Sequence, residues 1–518
     1  MSIRSIRRGF LLVSCLLLLI VVSLLALSES LSCMGVSIMS KREYDSLPPY
    51  EYVDLSACLT QNGQCAALDR ESSTLFVAIH PGDMDDVSKL PASLVLHHLN
   101  YRLCFAPDAA FDNFAQAVSS GHRFPLLAVS DTHHMRYDVV FTALPVISLK
   151  TENPPEEFGT RYGDLCMWDA TQQDYYCVLT SQVRWHKRGN STRMFDKASL
   201  KLTLERDQTS DPRNLPLAGL GSDDDWILNS MVFDDLKLRE KIINTLWNQL
   251  QQTTDYKLNM SACQYVEVIV NDDYQGLYLL QRRIDNKYLG EGREQDVILK
   301  IFGFPETPGD LSQTFIVKHN PSALSDDEAI GIFMPFYRLL SGEADTLGDD
   351  VQFELDWDNW LDVNAFTSIF CTLDNTVHKN TFFLLHPQDE ALKLQFVLWD
   401  TDMSMGMHWA GNSFEHAPAM FSSAEPALRA ESGLLFAQDK RLRAAYMQRY
   451  AQLRQGLLST ANLESAILRA HDEITSCGAL ARDQARWGLL HGESDTLETL
   501  LDFIRTRCAW LDAQYLPQ

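Results

Sequence analysis

The segment FVLWDTDMSMGMHW, residues 396–409, sets two carboxylates at the end of an apolar run. Phe396–Trp399 reads as a buried strand, because a short continuous apolar run closed by polar residues packs best inside a sheet. Asp400 and Asp402 then leave that strand together, separated only by Thr401. On an extended segment residues i and i+2 share a face, so both carboxylates aim at one point. A divalent cation such as Mg²⁺ is commonly held by one or two carboxylates plus phosphate oxygens. The competing reading is a surface Asp-x-Asp in a loop.

Two other segments carry matching chemistry. Residues 373–380, LDNTVHKN, follow an apolar helical stretch and precede a strand. They offer Asp374 as an acid or base and Asn380 as a metal ligand, in the manner of a phosphoryl-transfer loop. A turn with capping Asp and Asn is the plainer alternative. Earlier, Arg188-Gly189-Asn190-Ser191-Thr192 precedes Lys197 and Lys201. A loop with glycine and small hydroxyl residues can turn backbone N–H groups toward phosphates, and a lysine on the next strand can neutralise them. With a single glycine it is neither a Walker A nor a G-x-G-x-x-G loop; an ordinary basic hairpin is the alternative.

The order of these segments suggests an organisation. Residues 1–30 carry Arg4, Arg7 and Arg8 ahead of an uncharged apolar run, with Glu29 after it. This predicts a signal anchor with the body outside the cytoplasm, or a secreted chain after signal-peptide cleavage; the length of the run favours the anchor. Residues 31–65 read as a juxtamembrane linker, and 66–144 as a small β-rich module of short runs such as STLFVAI and YDVVFTALPVISL. From 145 strands and helices mix. DDLKLREKIINTLWNQL (234–250) has helical spacing, and YVEVIVNDDYQGLYLLQRRI reads as a hairpin turning at Asn271-Asp272-Asp273. The region beyond about 410 is helical, the tail from 431 to 515 most clearly.

Of eleven cysteines, Cys15 lies in the apolar N-terminal run, and the other ten could pair in an exported chain, with Cys58–Cys65, Cys166–Cys177 and Cys477–Cys508 as local candidates. Asn190-Ser191-Thr192 matches a glycosylation sequon. A net charge of −25 argues against nucleic acid as the main partner.

Taken in order, these segments resemble the CotH family, the spore-coat-H-type atypical protein kinases. The resemblance rests on RGNSTRMFDKASLKLTL (188–204), DDLKLREKIINTLW (234–247), VEVIVNDDYQGLYLLQRRID (266–285), DNTVHKNTFFL (374–384) and WDTDMSMG (399–406). YMQRYAQLRQGLLS, ARDQARW and FIRTRCAWLD extend it to about residue 512.

The resemblance implies an α+β fold: a divergent protein-kinase-like core over 145–518 with a helical C-terminal region, preceded by the β-rich module and the N-terminal transmembrane helix. It implies transfer of the γ-phosphoryl group of ATP, with Mg²⁺ or Mn²⁺, to Ser or Thr of a protein partner. By position, Asp374 is the catalytic-loop acid, and Asn380, Asp400 and Asp402 hold the metal. Arg188, Gly189, Asn190, Ser191 and Thr192 form the phosphate loop, with Lys197 or Lys201 reaching the phosphates. One departure stands out: Arg282 lies where family members often carry a Glu, which leaves Glu240 or Glu267 as acid partner for the lysine. That departure and the export signal motivate a rival reading, a kinase-like cell-envelope binding or structural protein with little transfer activity.

Overall fold

In a computed structural model, the described residues are 36–80, 82, 84, 94–109, 113–151, 159–169, 177–189, 191–207, 211–289, 293–301, 315–321, 323–340, 344, 351–372, 374–375, 379–388, 391–407 and 440–516. The apolar run near the N-terminus lies outside them, as do Asn190, His408 and Trp409. No described helix is long and apolar enough to cross a membrane.

The fold is mixed α+β, with ten helices and several sheets among the described residues. At its centre seven strands close into a barrel. They are β1 (Val146–Thr151), β2 (Arg161–Asp169), β3 (Cys177–Arg188), β4 (Ser199–Glu205), β5 (Asp225–Asn229), β6 (Cys263–Val270) and β7 (Asp273–Arg282), in the order β1-β2-β3-β4-β5-β7-β6. The neighbours are antiparallel except where β1 meets β6 and shuts the barrel in parallel. Strand alternation decides what faces in. Val183, Trp185, Leu200, Leu202, Leu204, Trp226 and Leu228 fill the interior with residues from the other strands. Their alternates on β3, β4 and β5 therefore point outward: His186 and Arg188, Ser199 and Lys201, Ile227 and Asn229.

The expected hairpin is β6–β7. Its turn is only Asn271-Asp272, both at positive φ (52° and 63°), as a two-residue hairpin turn matched to strand twist requires. Helix α1 (Arg239–Gln251) begins five residues later than the apolar spacing suggests. Lys237 adopts a positive φ of 61°, and Asp234 accepts hydrogen bonds from the Leu238 and Arg239 N–H groups, capping the start from outside.

A second sheet has the order β9-β8-β11-β12-β10, where β8 is Val297–Ile301, β9 Phe315–His319, β10 Phe353–Leu355, β11 Thr381–Gln388 and β12 Ala391–Leu398. Helix α2 (Asp326–Leu340) covers it with Phe333 and Phe336 against Phe383 and Phe396. Helix α3 (Trp357–Phe370) is buried on every side from Asn359 to Phe370, as an interior helix without a polar face must be. Helices α4 (Lys440–Gln455), α5 (Thr460–Thr475), α6 (Ala479–Trp487) and α7 (Leu497–Tyr515) give the helical tail its expected character.

Before the barrel, a six-stranded sheet runs from Ser37–Ile38 to Leu68–Asp69, and Leu59–Gln61, Gln64–Cys65 and Leu94–Leu96 form a three-stranded one. Part of the expected linker is thus sheet: Ile38 pairs with Phe105, and Leu59 is buried. This region meets the barrel through Phe76 stacked on Tyr274 at 4.6 Å and through Arg70 bound to Asp272 at 3.0 Å.

The proposed disulfides are corrected. Cys58, Cys65, Cys166, Cys477 and Cys508 are free. Cys166 lies opposite Thr180, and Cys177 opposite Asp169. Three residues of offset is about 10 Å along a strand, beyond the Cα reach of a disulfide. Cys477 and Cys508 sit fully buried as small apolar groups in the core.

Helix α6 is bolted to β7. Asp483 accepts from the Leu277 N–H at 2.9 Å, Trp487 Nε1 donates to the Gln275 carbonyl at 2.9 Å, and Arg482 grips Glu267 twice at 2.9 Å. Gly276 makes this approach possible: its φ is 91°, and a Cβ there would lie 2.2 Å from Asp483 Oδ1. Gly276→Ala should therefore destabilise the chain by roughly 1–3 kcal/mol from backbone strain alone, with α6 displaced. Thermal unfolding checks this, and an unchanged midpoint would mean that α6 is not clamped at Gly276.

Candidate active site

The outward face of β3, β4 and β5 and the second sheet enclose a cleft of about 620 Å³. Strand alternation supplies one wall: His186, Arg188, Ser199, Lys201, Ile227 and Asn229 all line it. The opposite wall comes from two loops and two strands, with Asp374 and Asn380 ahead of β11, Asp400 and Asp402 after β12, Lys300 on β8 and Lys318 on β9.

The two acid-bearing loops are pinned together by one side chain. Asn375 is fully buried, and its Nδ2 donates to the Asn380 carbonyl and the Trp399 carbonyl, both at 2.8 Å. The Trp399 N–H also donates to the Asn380 carbonyl at 2.9 Å. Asn380 Nδ2 in turn holds Asp374 Oδ2 at 3.1 Å, and Lys379 pairs with Asp374 at 2.7 Å. Asn380 and Asp400 both have positive φ, 55° and 60°. Asn and Asp tolerate this conformation better than most residues, and such geometry clusters at functional sites.

That conformation corrects one expectation. β12 ends at Leu398, so Asp400 and Asp402 do not share a face of an extended strand. Both still line the cleft, because the chain turns at Asp400 and then folds back. Arg239 holds the returning segment, donating from Nε to the Ser404 carbonyl at 3.0 Å while its other nitrogens engage Asp234 and Asp495. Met403, Met405 and Met407 are buried beside it.

Glu240, next to Arg239 on α1, closes the back of the site. Its carboxylate accepts from Asn229 Nδ2 at 2.6 Å and Gln281 Nε2 at 2.7 Å. Burial, and then the charge of Asp400, push its carboxyl up to about 8. Burial followed by Asp400 and Glu240 likewise holds Asp402 well above the usual carboxylate range. This surplus of buried negative charge is what a divalent cation relieves, so the donors fit one. Among the described residues no three His, Cys, Asp or Glu side chains form a metal cage by themselves. A cation here would draw on two carboxylates, the Asn380 amide and oxygens of a bound anion, as Mg²⁺ commonly does.

The basic loop closes on itself. Thr192 Oγ1 donates to the Arg188 carbonyl at 3.3 Å, across Gly189 at φ 101°. A Cβ on Gly189 would fall 1.8 Å from that hydroxyl, so the turn needs glycine. Backbone residues Ser191–Met194 form a short 3₁₀ turn.

The structure thus gathers Arg188, Gly189, Thr192, Lys201, Asp374, Asn380, Asp400 and Asp402 around one cleft. It does not bring Lys197 there. Lys197 is 2% exposed, paired with Asp483 and donating to the Leu277 carbonyl at 2.8 Å. It braces α6 against the barrel. Nor does either expected glutamate meet a lysine: Glu240 is held by two amides, and Glu267 by Arg482 and the Tyr274 hydroxyl. Lys201 pairs instead with Asp225 at 3.2 Å, and Arg282 with Asp223 at 3.0 Å. Sequence reasoning missed Arg193, Arg283, Lys300 and Lys318 in the lining, and Asn375 behind it. The overlooked signal was a lone lysine in each of two apolar strands, VILKI and FIVKH.

With this geometry in hand, a family model described as CotH kinase protein matches residues 186–511, well over half of the chain. The chain belongs to the CotH kinase protein family. No curated protein matches it. The match begins at His186, on the cleft face of β3, and ends in α7, so this CotH protein has every cleft residue named above within the family region.

A proton linkage follows. Glu240 and Asp402 hold their protons to unusually high pH, and a bound cation favours their ionised forms. Mn²⁺ affinity should therefore rise as pH approaches about 8, the value to which Glu240 is pushed, with protons released on binding. Calorimetry in buffers of different ionisation enthalpy measures that release. Glu240→Gln should flatten the upper part of the pH dependence, and a pH-independent affinity would refute the linkage.

Proposed function

We propose that this CotH protein is an ATP-dependent protein kinase that uses Mg²⁺ or Mn²⁺ to phosphorylate Ser or Thr of a protein partner. The observation that carries the reading is the convergence of Asp374, Asn380, Asp400 and Asp402 on one wall of a cleft whose other wall is basic. Phosphoryl transfer asks mainly for positioning and charge neutralisation, and this set supplies both.

In this reading Asp374 orients the acceptor hydroxyl and takes its proton. Lys379 and Asn380 fix that carboxylate in place. Asp400 and Asp402, with Asn380, hold the metal, which when bound neutralises charge on the nucleotide phosphates. Arg188 and the Gly189–Thr192 turn face the phosphates, with Lys201 on the same wall. The body would lie outside the cytoplasm, tethered through the N-terminal apolar run or released after its cleavage, with the protein substrate there too.

A second reading, an envelope binding protein with a kinase-like site and weak transfer, draws on a specific observation. Each candidate lysine–glutamate pair is absent, with Lys197 committed to Asp483 and Lys201 to Asp225.

Two substitutions separate the readings. Asp400→Ala should abolish metal-dependent ATP binding measured by calorimetry. Asp374→Asn should keep that binding and lower turnover by roughly 10²–10⁴-fold, read as phosphoryl transfer to protein by mass spectrometry. Metal-dependent binding with no transfer from the wild-type chain would favour the second reading, and no ATP binding in any metal would sink the first.

A further inference from the structure

The cleft is lined by seven lysines and arginines and by three aspartates: Asp374, Asp400 and Asp402. Several of the cations are already committed. Lys201 and Arg283 both bind Asp225, at 3.2 and 2.8 Å, and Lys379 binds Asp374. Arg188, Arg193, Lys300 and Lys318 have no carboxylate within ion-pair distance among the described residues. In a chain of net charge −25, which has abundant acids to spend on pairing, four such cations line this one cleft.

Three of the four converge from different elements. Arg188 ends β3, and its guanidinium stands 5.8 Å from the Trp399 ring. Lys300 sits mid-strand on β8 beside Phe382, its ammonium 5.4 Å from that ring. Lys318 owes its position to a bulge. Leu299 pairs with Val317, but Ile298 pairs with His319, so Lys318 is the extra residue of β9. A bulge of this kind re-aims a side chain and is common beside active sites. The charges feel one another: burial lowers the Lys300 ammonium to about 8, Asp400 opposes that shift, and Arg188, Lys318 and Lys379 each add to it. Like charges gathered in a half-buried cleft cost free energy unless an anion joins them.

We propose that Arg188, Lys300 and Lys318 form an anion clamp for a polyphosphate chain, gripping it between the barrel and the second sheet, and that Lys300 and Lys318 take the phosphate-binding role expected of Lys197. The clamp deepens the kinase reading, whose nucleotide it would hold, and it rests on cations that are not themselves metal ligands. Its ligand class is a linear di- or triphosphate. The bound anion would supply the counter-charge that no carboxylate at ion-pair distance gives these three cations, and would bridge the two sheets.

The test uses the full chain in mild detergent, with inorganic tripolyphosphate and with ATP, each titrated by calorimetry with and without Mg²⁺. Lys300→Met with Lys318→Met should weaken binding of both ligands at least tenfold without weakening Mn²⁺ binding. Unchanged affinity for both ligands in a folded double variant overturns the clamp. Tripolyphosphate binding that needs these lysines, without ATP binding, keeps the clamp and removes the kinase reading. Binding of neither ligand by the wild-type chain overturns both. Should the double variant not fold, the wild-type chain can be acetylated with and without tripolyphosphate and its lysines read by mass spectrometry. Protection of Lys300 and Lys318 supports the clamp, and equal labelling refutes it.

Discussion

One buried guanidinium ties the site to the rest of the molecule. Arg239 is 1% exposed and touches three distant segments: Asp234 ahead of α1, Asp495 ahead of α7, and the Ser404 carbonyl in the loop that carries Asp402. Two carboxylates and a carbonyl compensate the desolvation that a lone buried charge would suffer. The consequence is geometric. The same helical turn that presents Arg239 to the loop presents Glu240 to Asn229 and Gln281, so the barrel, α1 and the acid-bearing loop share one reference point. Removing the guanidinium would leave two buried carboxylates unpaired and free the Asp402 loop at once.

Around that point acids and cations gather in separate groups. Acids collect where the chain leaves β12 and enters β11, and cations collect on the barrel face and on β8 and β9. Some of these charges pair, as Lys379 does with Asp374 and Lys201 with Asp225, and others do not. Burial and mutual repulsion raise Asp402 and Glu240, and burial with neighbouring cations lowers Lys300. Such a cleft suits a ligand that brings a cation to the acids and anionic oxygens to the lysines and arginines. This is the physical content of the proposed nucleotide site.

How much of this was legible depends on distance along the chain. The β6–β7 hairpin was readable because its turn chemistry is contained in Asn271 and Asp272. That Arg188 and Lys201 share one face is set by the β3–β4 register, which pairs Arg188 with Ser199 and His186 with Lys201. Asp400 and Asp402 both line the cleft, through a turn at positive φ rather than a shared strand face. The choice between Lys197 and Lys201 was not readable. It was made by Asp483, 286 residues away, whose buried carboxylate claims Lys197. Lys300 and Lys318 went unseen because nothing in VILKI or FIVKH indicates which wall they will face.

The sequence by itself determined the β6–β7 hairpin and its turn residues, the helical character of the tail and the family to which the chain belongs. These follow from periodicity, turn chemistry and ordered motifs, which act over a few residues at a time. Only the tertiary structure decided which charges meet. Closing β1 on β6, bolting α6 to β7 and setting the second sheet opposite β3–β5 are long-range events. Each consumes some acids and bases in buried pairs and leaves others facing the cleft, so the site is defined by the charges that packing did not use.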